Sequence, residues 1–144
     1  MDPLGITAAA VGIAVPVIHY VHLLLKDIDN IIDAPPTILR LKEQLRYVQQ
    51  ANTSLTVITD DQWRSLGENM VGLYKTATAT CDKSCAEFRL LLQHWTRHSG
   101  SDGKLAWKDR AFIGIFKQRP IDAISKQLLS CKAALILVAS TATL

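Results

Sequence analysis

One continuous pattern runs through residues 59–95, which read TDDQWRSLGENMVGLYKTATATCDKSCAEFRLLLQHW. Thr59, followed three residues later by Gln62, resembles a capping box at the start of a helix. From there, apolar or small side chains recur every three or four residues, which predicts one long helix with an apolar stripe. Because glycine weakens a helix, a bend is expected at Gly67 or Gly72. The stripe consists of Trp63, Leu66, Met70, Leu73, Ala77, Cys81, Ser84, Phe88, Leu91 and Trp95.

Two shorter stripes with the same spacing flank this long helix. The first consists of Ile38, Leu41, Leu45, Val48, Asn52 and Leu55, and the second of Ile121, Ile124, Leu128, Cys131, Leu135, Val138 and Ala142. Residues 33–36 (Asp-Ala-Pro-Pro) are predicted to end the first helix and start the second, and residues 99–103 to form a loop. A shorter helical segment is predicted from Lys104 to Phe116, and Pro120 is predicted to open the last helix. No segment combines strand alternation with a hairpin turn. The sequence therefore predicts an all-α, antiparallel up-and-down bundle of four to five helices.

Length and composition indicate one folded domain. The chain has 144 residues, of which 49% are hydrophobic, and this excludes disordered or low-complexity proteins. Its net charge of +3 is too small to indicate nucleic-acid binding, so no nucleic-acid partner is expected. Three cysteines cannot all pair, which argues against a secreted disulfide framework. Because the last stripe still runs where the sequence stops, residues 1–144 are interpreted as a single domain in the N-terminal part of a longer protein.

The least polar stretch is residues 4–25, which contain no formally charged residue. About 20 apolar residues can cross a bilayer, so three interpretations stay open. The stretch is a helix buried in the bundle, a helix buried at rest that can enter a membrane, or a permanent anchor. Pro16 would kink such a helix. The candidate membrane-inserting side chains are Leu4, Ile6, Val11, Ile13, Val15, Val17, Ile18, Val21, Leu24 and Leu25.

A basic, aromatic-rich segment at residues 104–119 is the second candidate for membrane contact. Its cations, which are candidates for binding anionic lipid, are Lys104, Lys108, Arg110, Lys117 and Arg119. Aromatic and aliphatic side chains interleave with them, as in amphipathic segments that lie on anionic membranes. The alternative is that the apolar side chains pack on the bundle and the cations form its solvated face.

The sequence shows little catalytic chemistry. Cys81, Cys85, His94 and His98 have the order of zinc ligands, but on one continuous helix the two pairs point in opposite directions. No metal site is therefore predicted. No phosphate-binding loop, Gly-x-Ser-x-Gly elbow or His-Glu-x-x-His motif is present, so no catalytic residue, no cofactor and no enzymatic activity are predicted. His19 and His22 are interpreted as core or junction histidines, with a pH-sensitive switch as the alternative.

Several short motifs together resemble a known family. They are residues 1–8 (Met-Asp-Pro-Leu-Gly-Ile-Thr-Ala), residues 33–35, residues 105–110, residues 116–118, residues 124–132 and residues 140–144. Their combination is similar to the fungal N-terminal helical domain of STAND (NOD-like receptor) proteins, of the azaphilone-pigment cluster protein L N-terminal type. The resemblance implies a HeLo-like helical bundle that acts as a signalling or cell-death module. In HeLo-type effectors the hydrophobic N-terminal helix is thought to enter membranes. Residues 4–25 occupy that place here, with Pro16 as a departure.

These observations lead to two functional hypotheses. The first is a non-enzymatic effector domain of a fungal STAND-type immune receptor, cytoplasmic and recruited to an anionic membrane through its first helix. The second is a homotypic interaction or oligomerisation scaffold without membrane activity, which uses the stripes on the long and last helices. Its interface candidates are Trp63, Leu66, Met70, Leu73, Phe88, Leu91, Trp95, Ile121, Ile124, Leu128 and Leu135. The expected partners are further copies of the chain, an anionic membrane and the downstream domains of a longer receptor.

Overall fold

The computed structural model describes residues 19–99, 104–107 and 115–143. This part of the chain contains four helices: α1 (residues 19–29), α2 (Pro36–Ser54), α3 (Asp60–Trp95) and α4 (Ile115–Ala142). A short 3₁₀ turn, Leu55–Val57, follows α2. Three short strands, β1 (Ile31–Ile32), β2 (Thr96–Ser99) and β3 (Lys104–Trp107), form one small sheet. Helices build the core, and the predicted all-α bundle is confirmed.

The junction between α1 and α2 lies in the predicted turn. Helix α1 ends at residue 29, and Asp33 adopts a positive φ of 55°, a conformation that aspartate tolerates better than most residues. Pro36 occupies the first position of α2, where its missing N–H costs nothing. The first hydrogen bonds of α2 run from the N–H groups of Ile38 and Leu39 to the Pro35 carbonyl. Pro36 therefore starts α2 as predicted, whereas α1 has already ended at residue 29, before the residues predicted to stop it.

Helix α2 turns the predicted stripe toward the interior. Its buried side chains are Ile38, Leu41, Leu45, Val48 and Asn52, and Leu55 of the following 3₁₀ turn is also buried. The spacing of three and four residues keeps them on one face of the helix. The stripe on α2 is confirmed at every position.

Helix α3 begins with the predicted capping box. The Gln62 N–H donates to the Thr59 hydroxyl over 3.2 Å, and the Thr59 N–H donates to Gln62 Oε1 over 2.9 Å. The predicted bend lies at Gly67, which has φ 82° and ψ 170°. Beyond it, the buried side chains are Val71, Tyr74, Thr78, Cys81, Cys85, Phe88, Leu92 and Trp95.

The buried face of α3 therefore differs from the predicted stripe at several positions. Ser84 and Leu91 were expected inward, but Cys85 and Leu92 are buried, and Leu91 is 38% exposed. Leu66, Met70 and Leu73 are partly buried and pack against the core. At Trp63, Cys81, Phe88 and Trp95 the two faces coincide, whereas at several positions between them the buried side chain lies one residue later than predicted. Neighbouring apolar residues, such as the three leucines at 90–92, do not distinguish one face from the next.

Two predictions about the C-terminal half are wrong. Pro120 does not open the last helix, since α4 starts at Ile115 and contains Pro120. Proline inside a helix removes one N–H, and its ring crowds the carbonyl four residues earlier. For Pro120 that carbonyl belongs to the first turn of α4, so the loss is confined to the helix start. The helical segment expected from Lys104 instead begins with a strand. Strand β3 pairs in parallel with β1 and antiparallel with β2, and Ile31 lies opposite Leu105.

The four helices alternate in direction. Gln44 and Tyr47 of α2 contact Ser125 and Lys132 of α4 in the same order, so these two helices run in parallel. Helix α3 runs opposite to α4, because its C-terminal part shares a groove with the N-terminal part of α4. The result is the expected up-and-down arrangement, with α1 packed beside α3.

Candidate functional site: the docked first helix

Helix α1 contributes one continuous face to the hydrophobic core. Val21 and Leu24 are completely buried, and Leu25 and Ile28 are at most 8% exposed. Their spacing of three, one and three residues places them on one side of the helix. Burying a side chain of this size contributes about 1.5–3 kcal/mol, so this face stabilises the fold by roughly 6–12 kcal/mol. Helix α1 is therefore part of the core in this structure.

Two ion pairs attach the polar side of α1 to neighbouring helices. Arg89 Nε of α3 donates to Asp27 Oδ2 over 2.8 Å, and both side chains are 23% exposed. Asp29 pairs with Lys42 of α2. We call these two pairs the α1 clamp. Because Asp27 and Asp29 bind different helices, the clamp fixes α1 in the space between α2 and α3.

The first described turn of α1 lies close to Asp82 of α3. Burial raises the pKa of Asp82, the neighbouring Cys81 acts in the same direction, and His19 of α1 opposes both. One carboxylate oxygen of Asp82 is buried without a hydrogen-bond partner. The ionised form of Asp82 is therefore disfavoured at a point where α1 meets α3.

Only part of the predicted membrane-inserting stretch lies within the described residues. Val21, Leu24 and Leu25 are in the core, whereas Leu4, Ile6, Val11, Ile13, Val15, Val17 and Ile18 lie outside the described residues. Across residues 19–99, 104–107 and 115–143, none of the helices has both the length and the apolar composition needed to cross a bilayer. Of the stretch 4–25, the structure therefore places residues 19–25, which belong to α1.

The five predicted lipid-binding cations do not lie on a single helix. Lys104 belongs to β3, while Lys117 and Arg119 belong to α4, where the Arg119 side chain is exposed. Lys108 and Arg110 lie outside the described residues. An amphipathic helix running from residue 104 to residue 119 is excluded, because its first four residues pair as a strand.

The stripes predicted to bind other copies are largely occupied within the chain. Seven of the eleven named side chains are buried in the core: Trp63, Phe88, Trp95, Ile121, Ile124, Leu128 and Leu135. Leu66, Met70 and Leu73 pack against that core, and Leu91 lines a groove with Pro120 and Ile124. Phe88 and Trp95 meet edge to face with ring centroids 5.7 Å apart. The Phe88–Trp95 contact lies within α3, whereas the groove that contains Leu91, Pro120 and Ile124 is lined by both α3 and α4.

The three cysteines form a buried cluster between α3 and α4. Cys81, Cys85 and Cys131 are free thiols and at most 3% exposed. The Cys81 thiol hydrogen-bonds with both others, which raises the pKa of Cys85 and Cys131 beyond the effect of burial. Within the described part of the chain, no group of three His, Cys, Asp or Glu side chains is arranged to hold a metal ion. The cluster is packed as part of the core.

Helix α4 carries a second apolar stripe, opposite the buried one, that was not predicted. Leu129 and Leu137 are each 52% exposed, and Ile136 is 47% exposed. Ala133 and Ser140 are also exposed and share the same side of the helix. We call these five residues the outer α4 stripe. The spacing of four, three, one and three residues was visible in the sequence, but it was hidden by the stronger stripe on the other side.

Comparison with known proteins gives one match. The family described as "Pigment biosynthesis cluster protein PigL N-terminal" matches residues 1–144. No curated protein and no solved structure matches the chain.

Proposed function

Because the chain belongs to the pigment biosynthesis cluster protein PigL N-terminal family, we propose that it is a non-enzymatic N-terminal effector domain whose first helix is stored in the bundle. On release, the apolar N-terminal segment enters an anionic membrane. This corresponds to the STAND-receptor resemblance of the sequence, in which such a domain signals or kills the cell. The observation that carries the proposal is the placement of α1, which ends an uncharged stretch and is held by both a core face and the α1 clamp.

The energetics support a store-and-release mechanism rather than spontaneous insertion. Exposing the four buried side chains of α1 costs about 6–12 kcal/mol, which is similar to the whole stability of a typical domain. Thermal fluctuation alone would therefore populate the released state very rarely. A trigger must supply the difference, and binding or oligomerisation driven by downstream domains of a longer receptor is the source that we propose.

We propose that basic side chains first attract the domain to an anionic membrane, and that the apolar N-terminal segment then enters the bilayer. Lys104 lies in strand β3, and Lys117 and Arg119 lie near the start of α4. Each cation near an anionic surface contributes about 1 kcal/mol. Such a contribution is collective and falls with salt concentration. Residues 4–18 would then supply the inserted segment, while residues 19–29 leave the core.

A leakage experiment tests the proposal with two charge-matched variants. Arg89→Met breaks the half-buried pair with Asp27, and Arg64→Met breaks an exposed pair with Asp61 on the same helix. Both variants lose one positive charge, so their general attraction to lipid is equal. We expect Arg89→Met to release dye from phosphatidylserine-containing vesicles faster than the parent chain, and Arg64→Met to match the parent.

A deletion completes the design. Removing residues 2–18 leaves α1 in place, and leakage should disappear while circular dichroism still reports a helical bundle. Vesicles of phosphatidylcholine alone should resist all variants. Equal leakage from Arg89→Met and Arg64→Met would reject the role of the clamp. Leakage from none of the folded proteins, or leakage that survives the deletion, would reject membrane insertion.

The scaffold hypothesis needs a different surface from the one first assigned to it. Most of the side chains in the two predicted stripes are buried between α3 and α4 and the other helices, so their use by another copy would require the bundle to open. Self-association of the closed bundle is better served by apolar side chains that are exposed. The outer α4 stripe provides such a set.

A further inference from the structure

Two of the buried cysteines face each other where α3 packs against α4. Phe88 of α3 and Ile124 of α4 line the same groove between these antiparallel helices. Seven residues back along α3 and seven residues forward along α4, the chain places Cys81 level with Cys131. Their thiols are joined by a hydrogen bond, which agrees with this register. Helices α3 and α4 therefore present one thiol each at the same point of their interface.

Geometry selects the two thiols that a disulfide can link. Cys81 and Cys85 are four residues apart on α3, and β-carbons with this spacing on a helix are about 5–6 Å apart. A disulfide needs β-carbons about 3.5–4.5 Å apart, so these two cysteines cannot be joined while the helix is intact. Cys131 belongs to another helix and is free of this restriction. Cys81 and Cys131 are therefore the pair that can be joined.

The docked first helix covers one side of the cysteine cluster. His19 of α1 acts on Asp82 of α3, and Asp27 of α1 binds Arg89 of α3. Cys85 lies between these two positions of α3, three residues after the first and four before the second, and so on the same side of the helix. All three thiols are at most 3% exposed. An oxidant therefore reaches them when the packing opens, and departure of α1 removes the cover on this side.

We propose that Cys81 and Cys131 are an oxidisable pair, and that release of α1 lets a hydroperoxide convert them into a disulfide that joins α3 to α4. Cys85 stays a free thiol. Oxidation of the pair rests on the release of α1 that the proposed function invokes, but not on membrane entry. The bond closes a loop between residues 81 and 131, which restricts the unfolded chain. It would keep the remaining helices together while α1 is away from the bundle.

The reaction balances with hydrogen peroxide as the oxidant. Hydrogen bonds from Cys131 and Cys85 lower the pKa of Cys81 despite its burial, which makes Cys81 the nucleophile. Its sulfur attacks one peroxide oxygen, the O–O bond breaks, and a sulfenic acid and one water form. The Cys131 sulfur then attacks the Cys81 sulfur and displaces the sulfenic oxygen, which leaves as a second water with the Cys131 proton. The two thiols lose two electrons in total, and the peroxide gains them.

Peptide mapping after oxidation identifies the linked pair without any substitution. The reduced parent chain is treated with hydrogen peroxide in buffer without lipid, its remaining thiols are blocked, and the denatured protein is cut with trypsin. Cleavage after lysine and arginine puts the three cysteines on separate peptides, residues 76–83, 84–89 and 127–132. We expect 76–83 to be joined to 127–132, and 84–89 to carry the blocking group. A link between 76–83 and 84–89, or three blocked thiols, would overturn the proposal.

Variants of the α1 clamp test whether α1 controls access. Arg89→Met removes the pair with Asp27, and Arg64→Met removes an exposed pair on the same helix. Arg89→Met should form the disulfide about 5–30-fold faster than the parent, because weaker docking raises the population of the open form. Arg64→Met should match the parent. Gly67→Ala strains the bend of α3, several turns before the cysteines, and controls for general destabilisation. Equal rates in all four proteins, or equal acceleration by Gly67→Ala and Arg89→Met, would overturn the proposal.

Thermal unfolding measures what the bond does. Oxidised Arg89→Met should melt about 5–10 °C above its reduced form, and dithiothreitol should remove the difference. In that background, Cys85→Ala should keep this shift and Cys131→Ala should lose it. A shift that survives Cys131→Ala would overturn the assigned pair. Because no lipid is present, a failure of the leakage experiment would reject membrane entry and leave these results as they stand, whereas leakage without a disulfide would reject the oxidisable pair alone.

Discussion

Arg89 on α3 reaches Asp27 on α1 with a 2.8 Å hydrogen bond between Nε and Oδ2, although the two residues are 62 positions apart in the chain. Each side chain is 23% exposed, so the pair is neither fully solvated nor fully buried. The pair joins α1, which contains the end of the uncharged stretch 4–25, to α3, the longest helix of the described residues. The ionic contact therefore reports directly on whether α1 is docked.

Loss of this pair should destabilise the fold more than loss of a surface pair. We expect Arg89→Met to lower the free energy of unfolding by about 1–2 kcal/mol, because Asp27 is left partly desolvated without its partner. Arg64→Met should cost at most about 0.5 kcal/mol, since Asp61 is 88% exposed. Urea unfolding measures both values. Equal costs for the two variants would contradict the assignment of Arg89 to the clamp.

Two glycines on α3 should respond to alanine in opposite directions. Gly67 has φ 82°, a conformation that strains any residue with a β-carbon, so Gly67→Ala should destabilise the protein by about 1–3 kcal/mol. Gly72 has open space at the position of a β-carbon, and Gly72→Ala should stabilise by up to about 1 kcal/mol. Thermal unfolding of the two variants provides the comparison. Stabilisation by both would show that α3 is straight.

Tyr74 should make the fold sensitive to alkaline pH. Its hydroxyl donates to Asn52 Oδ1 over 3.5 Å, and burial, with a smaller effect of Cys131, raises its pKa. Because the folded pKa lies above the unfolded value of about 10, the stabilisation is complete below pH 10 and is lost as the pH rises further. Tyr74→Phe should remove this alkaline loss while costing about 1 kcal/mol at neutral pH. Urea unfolding from about pH 8 to about pH 11 measures the free energy of unfolding of both proteins. If this free energy falls equally with pH in the parent and in Tyr74→Phe, the role of Tyr74 is contradicted.

Asp82 should be a destabilising carboxylate at neutral pH. Its pKa is raised by burial, so its favourable contribution is complete below the unfolded pKa of about 3.9 and is lost as the pH rises through the folded value. We expect Asp82→Asn to be more stable than the parent at pH 7, with the difference shrinking toward acid. Chemical unfolding of the parent and of Asp82→Asn between about pH 4 and about pH 7 measures this difference. A difference in the free energy of unfolding that does not change with pH would refute the assignment.

The regular helices could be predicted from sequence because their information is local. On α2, five buried positions and the prolines before them follow from spacing and backbone chemistry alone. On α3 the spacing was ambiguous, because adjacent apolar residues such as Leu91 and Leu92 satisfy it equally well, and it does not report the unusual φ of Gly67. Strand β3 was missed for a different reason. Four residues become a strand only because β1 and β2 lie beside them.

The candidate site was predictable only in outline. The apolar stretch that ends in α1 was evident, but its clamp was not, because Asp27 and Asp29 gain partners from residues distant in sequence. Nothing in the sequence explained a polar Asn52 in an apolar stripe. In the structure the Tyr74 hydroxyl donates a hydrogen bond to the Asn52 side chain, and Tyr74 had not been predicted to point inward.

The pairing of Ile31 with Leu105 also has a consequence for synthesis of the chain on the ribosome. At about 5–20 residues per second, β1 emerges roughly 4–15 seconds before the strand that it must join. For most of that interval α3 is still being synthesised, so the apolar face of α1 lacks the long helix beside which it packs. The nascent chain is then at greatest risk of aggregation, and chaperones that bind exposed apolar segments would be most needed before β3 appears.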